Sequence, residues 1–274
     1  MKSIQNLLRE ARKKLLGSET AALDSRLLLE AASGLSQSEI IAEPGRELAD
    51  EQRQTFSALI ARRIAHEPVS RILGSREFYG REFKVTPAVL DPRADTECVV
   101  TLALNLLKSG QFIDVGTGSG AIAVTLCAEN AALTGIASDI SEAALAVAKQ
   151  NAETYGIGQR LEFRHTSWLE GISQRVELII SNPPYIRDDA VLPPDVINFD
   201  PHLALFGGSD GLASYRELAN QSRTCLAENA YVIVEIGHEQ AQAISEIFAA
   251  HKFKCVAKAF DIAGFIRGLA FQQK

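Results

Sequence analysis

The sequence predicts an α/β protein whose larger part, residues 94–274, forms a mostly parallel seven-stranded sheet covered by helices. Three observations lead there. From about residue 94 onward, apolar β-type runs alternate with helical repeats, an order that puts helices on both faces of a parallel sheet. Before residue 70 the apolar residues recur only at helical spacing, which predicts a separate small bundle. The charge divides near the same place: residues 1–75 carry 11 Lys and Arg against 10 Asp and Glu, and the rest carries 17 against 24.

The bundle, residues 1–70, reads as four helices. "IQNLLREARKKLL" places Ile4, Leu7, Leu8, Ala11 and Leu15 on one face, and Gly17 stops it. "TAALDSRLLLEAASG" repeats the spacing with Leu23, Leu27 and Leu28 and ends at Gly34. "SQSEIIAEPG" is a short helix closed by Pro44 and Gly45, and "ADEQRQTFSALIARRIAHE" is a long one ending before Pro68. Nothing titratable is concentrated here, so the bundle reads as a partner-recognition domain. Residues 71–93 change texture: Gly74, Gly80, the aromatics and the alternation in "EFKVTP" predict a β-hairpin linker. The sheet strands are then "QFIDVG", "LTGIASDI", "LEFRHTS", "VELIISN", "AYVIVEIG", "FKCVAKAFD" and "FIRGLAFQQ". Helices are expected over 119–130, "SEAALAVAKQNAETYG" and "EQAQAISEIFAAH".

Composition narrows the class. At 274 residues and 46% hydrophobic, the chain can bury a core without help from disulfides or metal. Cys98, Cys127, Cys225 and Cys255 form no C-x-x-C pair and read as thiols of a reducing, cytoplasmic compartment. The five histidines lack ligand spacing, so no metal is expected. The N-terminus is amphipathic and basic but has no secretory apolar region. No window approaches the ~18 uninterrupted apolar residues of a membrane span, so no membrane partner is expected. A net charge of −6 argues against a broad nucleic-acid footprint.

In a parallel sheet, ligands bind beyond the carboxyl ends of the strands, so the loops there are the candidates for a site. The first strand runs into "DVGTGSG", where Gly116, Gly118 and Gly120 let the backbone approach a ligand and open a helix. That turn alone fits a dinucleotide site, a phosphate cradle or a tight turn. The second strand ends in Asp139, where a carboxylate accepts ribose hydroxyls or simply caps a turn. Ser141 follows as the N-cap of the next helix. Trp168, the only tryptophan, either flanks an adenine ring or packs in the core.

The fourth strand delivers "SNPPY", residues 181–185. Pro183 and Pro184 remove two N–H donors and hold the chain extended, which leaves the Asn182 and Pro183 carbonyls without ladder partners. The Asn182 amide oxygen and a bare backbone carbonyl make two neighbouring acceptors. They match a planar –NH2 group, which offers two donors in one plane. Tyr185 adds a flat face for the same group.

This set resembles the HemK-like family, the class I S-adenosylmethionine-dependent methyltransferases that modify N5 of glutamine in peptide-chain release factors. The resemblance covers nearly the whole chain. It runs through "SRLLLEAASG", "EPVSRILGSREFYGREFKV", "PRADTE", "DVGTGSGAIAV", "SDISEAALAVAKQNA", "LIISNPPYI", "DPHLALFGGSDGL", "VEIGHEQ" and "DIAGFIR". "NPPY" alone is shared with DNA and RNA amino-methyltransferases; "PRADTE" and "ALFGGSDGL" are more specific.

The resemblance implies a Rossmann-like methyltransferase sheet, S-adenosylmethionine as cofactor with S-adenosylhomocysteine as product, no metal, and a release factor as partner. Gly116, Thr117, Gly118, Ser119 and Gly120 would line the methionine and ribose, Asp139 would hold the ribose, and Trp168 would lie by the adenine. Asn182, Pro183, Pro184 and Tyr185 would clamp the glutamine amide, with Asn182, Pro183 and Tyr185 catalytic and Asn182 also touching the cofactor. With no titratable base in the clamp, the proton is expected to leave after methyl transfer. The chain departs from the family pattern at Asp91, Ala94, Glu177 and Asp200, outside the glycine loop and the clamp. Three other readings share parts of the pattern: a ribosomal-protein glutamine methyltransferase, a nucleic-acid amino-methyltransferase with a basic strand-binding surface, and a non-catalytic cofactor-sensing protein.

Overall fold

The helical spacing before residue 70 folds into α1 (Ile4–Lys14), α2 (Ala21–Ser33), α3 (Gln37–Ala42) and α4 (Asp50–Ile64). A fifth helix, α5 (Val69–Leu73), occupies residues that the sequence reading split between bundle and linker. The structure, a computed structural model, describes residues 3–273; residues 1, 2 and 274, at the outer ends of the two expected domains, lie outside that range. The chain divides into two compact units. The first holds the residues up to Ser75 together with Pro193–Phe199, and the second holds Arg76–Leu192 and the residues from Asp200 onward.

The core of the first unit contains Ile4, Leu15, Leu28, Leu29, Phe56 and Ile60. On α2 the buried stripe is shifted from the expected one: Asp24, Ser25, Leu28 and Leu29 face inward, and Leu23 is 44% exposed. The cause is electrostatic. Asp24 is drawn in by Arg63 of α4, whose Nε donates to its carboxylate at 2.8 Å, and by the Ser18 hydroxyl. The pairing and the Ser18 bond offset the cost of burying this carboxylate.

At the start of the second unit, β1 (Ser75–Phe78, its first residue still counted with the first unit) and β2 (Arg81–Lys84) form the expected hairpin. Tyr79 and Gly80 both take positive φ, as a two-residue type I′ turn requires. The remaining elements are α6 (Thr96–Leu106), β3 (Gly110–Val115), α7 (Ala121–Glu129), β4 (Leu133–Asp139), α8 (Glu142–Thr154), β5 (Leu161–His165) and β6 (Val176–Ser181). After α9 (Pro194–Ile197), which belongs to the first unit, come α10 (Ala213–Cys225), β7 (Leu226–Glu235), α11 (Ala241–Ala250), β8 (Phe253–Phe260) and β9 (Ile266–Gln273). The sequence reading had no place for α6 or α10. The inward face of α10 is built from Ser214, Tyr215, Leu218, Ala219, Ser222 and Cys225, too polar and small to stand out as a hydrophobic period.

The sheet has the expected seven strands in the order β5-β4-β3-β6-β7-β9-β8. It is parallel from β5 to β7, while β9 runs antiparallel to both its neighbours. Alternate residues feed opposite faces, as the pleat dictates. Phe112, Ile180 and Ile233 enter one core cluster; Ile113, Ile179 and Val232 enter the other. From β3 the chain winds outward to β4 and β5, and with β6 it crosses to the other side. The crevice beyond the ends of β3 and β6 is therefore the topological switch point, where such sheets bind ligands.

Candidate active site

A cavity of about 620 Å3 opens at that switch point. The loop after β3 supplies one wall, and it is organised by a residue that the sequence reading passed over. Asp114, fully buried at the end of β3, accepts hydrogen bonds through Oδ2 from the Thr117 hydroxyl (2.7 Å) and the Ala123 N–H (3.2 Å). Its Oδ1 has no hydrogen-bond partner among the described residues, and burial pushes the carboxyl up to about 7. Thr117 thus spends its hydroxyl inside the protein while its residue lines the cavity.

The three loop glycines take φ of 72°, 55° and 80°, the left-handed region that a side chain disfavours. Gly116 and Gly118 line the cavity with Thr117 and Ser119. Gly120 does not; it starts α7, and a Cβ there would lie 3.1 Å from Ala148 of α8. Its part is close packing of two helices.

Asp139, half-buried at the end of β4, also lines the cavity. One carboxylate oxygen accepts the Gly118 N–H and the other the Ser141 N–H, both at 2.9 Å. Each oxygen keeps a second acceptor position, so the residue ties down the glycine loop and still has capacity for two hydroxyls. Ser141 caps α8 as expected, its hydroxyl accepting from the Ala144 N–H. Trp168, at φ 53°, lines the cavity and packs on the core cluster that holds Tyr215 and Leu218.

The opposite wall is the end of β6. Ser181 ties it to β3 by donating to the Val115 carbonyl at 2.7 Å. Asn182, Pro183 and Pro184 line the cavity, and among the described residues no hydrogen bond is made to the Asn182 or Pro183 carbonyl. The next two carbonyls are occupied: Pro184 accepts from the Ser214 hydroxyl (2.8 Å), and Tyr185 accepts from Gln240 Nε2 (3.1 Å). Tyr185 stands apart from the other three. It does not line the cavity; it packs on the core cluster behind it, where burial pushes its phenol up to about 12.

The segment "ALFGGSDGL" acquires a physical reason here. A Cβ at Gly207 would lie 2.5 Å from the Pro184 carbonyl oxygen, and one at Gly211 would lie 2.5 Å from that of Tyr185. The strand-end backbone rests against these two glycines, and only a bare Cα fits.

Two domain families match the chain: PrmC N-terminal domain over residues 6–74 and Methyltransferase small domain over 95–197. A release factor glutamine methyltransferase of Agrobacterium fabrum is 42% identical, spanning 96% of this chain and 95% of its own. The chain belongs to the release factor glutamine methyltransferase family. A second relative of that name, from Cereibacter sphaeroides, is 41% identical over 90% of each chain. Among solved structures, a methyltransferase of Pyrococcus furiosus (16% identity, TM-score 0.56, covering 79% of this chain and 97% of that one) has the same fold. So does a ribosomal protein L11 methylase of Lactobacillus delbrueckii (22% identity, TM-score 0.52, 73% and 88%).

As a release factor glutamine methyltransferase, the chain meets the family and fold expected from its motifs. Asp114, which organises the glycine loop, and Thr96, whose hydroxyl oxygen lies 3.2 Å from Asn182 Nδ2, escaped sequence reasoning. Asp114 carried the signal that had marked Asp139, a carboxylate closing an apolar strand. Thr96 sits inside "PRADTE", where nothing local points across 86 residues to Asn182. Two departures from the family pattern also have structural work. Glu177 accepts the Gln111 N–H at 2.7 Å, and Asp200 pairs with Arg93 at 2.6 Å.

Proposed function

We propose that this protein transfers a methyl group from S-adenosylmethionine to the side-chain amide nitrogen of a glutamine in a peptide-chain release factor, the glutamine of its Gly-Gly-Gln loop. The observation that carries the reading is a pair of acceptors at the cavity wall, the Asn182 amide oxygen and the Pro183 carbonyl, to which no hydrogen bond is made among the described residues. They fit a primary amide, whose –NH2 offers two hydrogens in a plane.

The residues present fit the cofactor. A cavity of about 620 Å3 has a bare glycine loop on one side and a carboxylate with spare acceptor positions at its edge. Gly116 and Gly118 would hold the amino-acid part, Asp139 the ribose and Trp168 the base. The bound sulfonium supplies an already activated methyl group. What the protein adds is placement and electrostatic bias. Asn182 and the Pro183 carbonyl would accept both amide hydrogens, point the nitrogen lone pair into the cavity and favour positive charge on that nitrogen. Tyr185, set behind the wall, would support the clamp. The first unit would capture the release factor, and the reaction would take place in the cytoplasm, where the four cysteines, which form no disulfide, stay reduced.

The test offers labelled S-adenosylmethionine with purified release factor, ribosomal proteins and nucleic acid in parallel. Label is expected in the release factor, on the glutamine of its Gly-Gly-Gln loop. Label confined to ribosomal protein or nucleic acid would overturn the reading. Asn182→Ala is expected to abolish transfer with only a modest loss of cofactor affinity; full turnover would remove the clamp. Asp139→Ala is expected to weaken cofactor binding, on the order of tenfold for one lost charged hydrogen-bonding group, and unchanged affinity would remove its ribose role.

A further inference from the structure

The stretch "DIAGFIR" takes no part in the cavity; none of its residues lines it. It forms the turn between β8 and β9, and its side chains are sorted in the reverse of a surface turn's usual order. The Asp261 side chain is 5% exposed. One of its oxygens accepts the Ala263 and Phe265 N–H groups, both at 2.9 Å, and the other accepts Arg267 Nε at 2.8 Å. Ile262, in contrast, is fully exposed, Phe265 is 52% exposed, and Phe260, just before the turn, is 54% exposed. A single exposed apolar side chain needs no explanation, but a cluster on one braced turn marks an interaction site.

The turn stands at the same end of the sheet as the cavity. Strand β9 is antiparallel to β7, with Gly268 opposite Glu235 and the Ile236 N–H donating to the Arg267 carbonyl at 2.8 Å. The start of β9 therefore lies where the parallel strands end. The Phe265 ring meets His238, in the loop after β7, edge to face at 5.8 Å. Arg267 also pairs with Asp95 at 3.0 Å, and the next residue, Thr96, lines the cavity and lies 3.2 Å from Asn182 Nδ2. In the sheet, β9 is two strands from β6, a separation of about 10 Å. A standard interface takes about 800 Å2 from each partner, a disc of roughly 16 Å radius. A footprint of that size centred on Asn182 reaches the turn.

We infer that Ile262 and Phe265 are anchors for the protein substrate, seating an apolar patch of the release factor beside its Gly-Gly-Gln loop. The inference rests on the release-factor reading and names where the second unit holds that protein. The glutamine must enter the clamp from outside, so the protein that carries it covers the rim of the cavity. A second copy of this chain seated there would bar the substrate. The turn's chemistry also favours an apolar protein surface over nucleic acid. Residues 260–268 hold one cation, Arg267, and it is committed to Asp261 and Asp95, which leaves no charge for a phosphate. Because Asp261 fixes the turn beforehand, association bears less of the cost of ordering it.

The test places Ile262→Ser and Phe265→Ser, singly and together, in the full chain, with Val256→Ser midway along β8 as an exposed apolar control. Methyl transfer to purified release factor at saturating cofactor gives KM and kcat; cofactor Kd and thermal midpoint are measured alongside. Each single turn variant is expected to raise KM about tenfold, and the double variant further, with kcat and cofactor Kd near wild type. Val256→Ser is expected to match wild type. A folded double variant with the wild-type KM overturns the proposal, as does a Val256→Ser that raises KM equally. Independently of those variants' folding, a photoreactive Ile262→p-benzoylphenylalanine is expected to cross-link to the release factor in the domain that carries the Gly-Gly-Gln loop. Cross-links confined to a second copy of this chain, or to RNA added in competition, overturn it. Wild type separates the two readings. If it labels the release factor while the double variant is unimpaired, only the anchor fails; if it labels no release factor, the release-factor reading fails and the anchor with it.

Discussion

Two carboxyl groups, Asp114 near the end of β3 and Glu235 at the end of β7, are buried at a thermodynamic cost. Burial lifts Glu235 from an ordinary 4.5 to about 7 and Asp114 from 3.8 to about 7. The unfolded chain therefore gives up these protons at lower pH than the folded one. Between those values the native state binds more protons, so each group's contribution to stability falls as pH rises. Other carboxyls, such as Asp210 beside Arg216, are shifted downward and act in the opposite sense, so total stability mixes both. The clean quantity is a difference: the thermal midpoint of Glu235→Gln minus that of wild type is expected to grow from pH 5 to pH 8, a window set by burial of the charge. A flat difference across that range would show that Glu235 does not titrate as its setting demands. At this scale the placement of Asp139, Asn182 and Pro183 at the cavity wall was legible, because acids and prolines are conspicuous at the ends of apolar strands. The contact between Asn182 and Thr96 was not, since the two lie 86 residues apart in sequence.

Among the elements, the strand end after β6 and the glycine segment 207–211 act as one piece. Gly207 needs no unusual φ; its constraint is the 2.5 Å that a Cβ would leave to the Pro184 carbonyl oxygen. Backbone cannot yield there as a flexible side chain would. Gly207→Ala is expected to displace the clamp and reduce turnover on the order of 10²-fold, the usual result of an ångström-scale misplacement, while leaving cofactor Kd near wild type. Equal kcat for the variant and the parent would mean that the segment is incidental to the clamp. The periodic strands and most helices of the sheet were readable because their apolar patterns are long and clean. Helix α10 was not, because serine, cysteine and alanine fill the positions around Tyr215 and Leu218 on its inward face, and α2 turned one position from its hydropathy stripe with Asp24 paired to Arg63.

Across the whole molecule, the described residues that line the cavity all belong to the second unit. Phe56, 3% exposed in the core of the first unit, offers a way to test what that unit contributes. Phe56→Ala is expected to cost about 3–5 kcal/mol, enough to loosen a small bundle. The expected outcome is a raised KM for release factor with cofactor Kd unchanged. A bundle shown by circular dichroism to be loosened, yet with unaltered KM, would rule out a recognition role. The periodicity changes near residue 70, whereas the two units divide after Ser75; the share of Pro193–Phe199 in the first unit was not legible, since no local pattern announces it. That share has a bearing on biosynthesis. The last piece of the N-terminal unit is encoded roughly 120 codons after the rest of it. At about 5–20 residues per second, the nascent helices wait roughly 6–24 s for it to be made. During that interval the first unit lacks one of its native pieces, so its completion has to wait for most of the second unit to be synthesised.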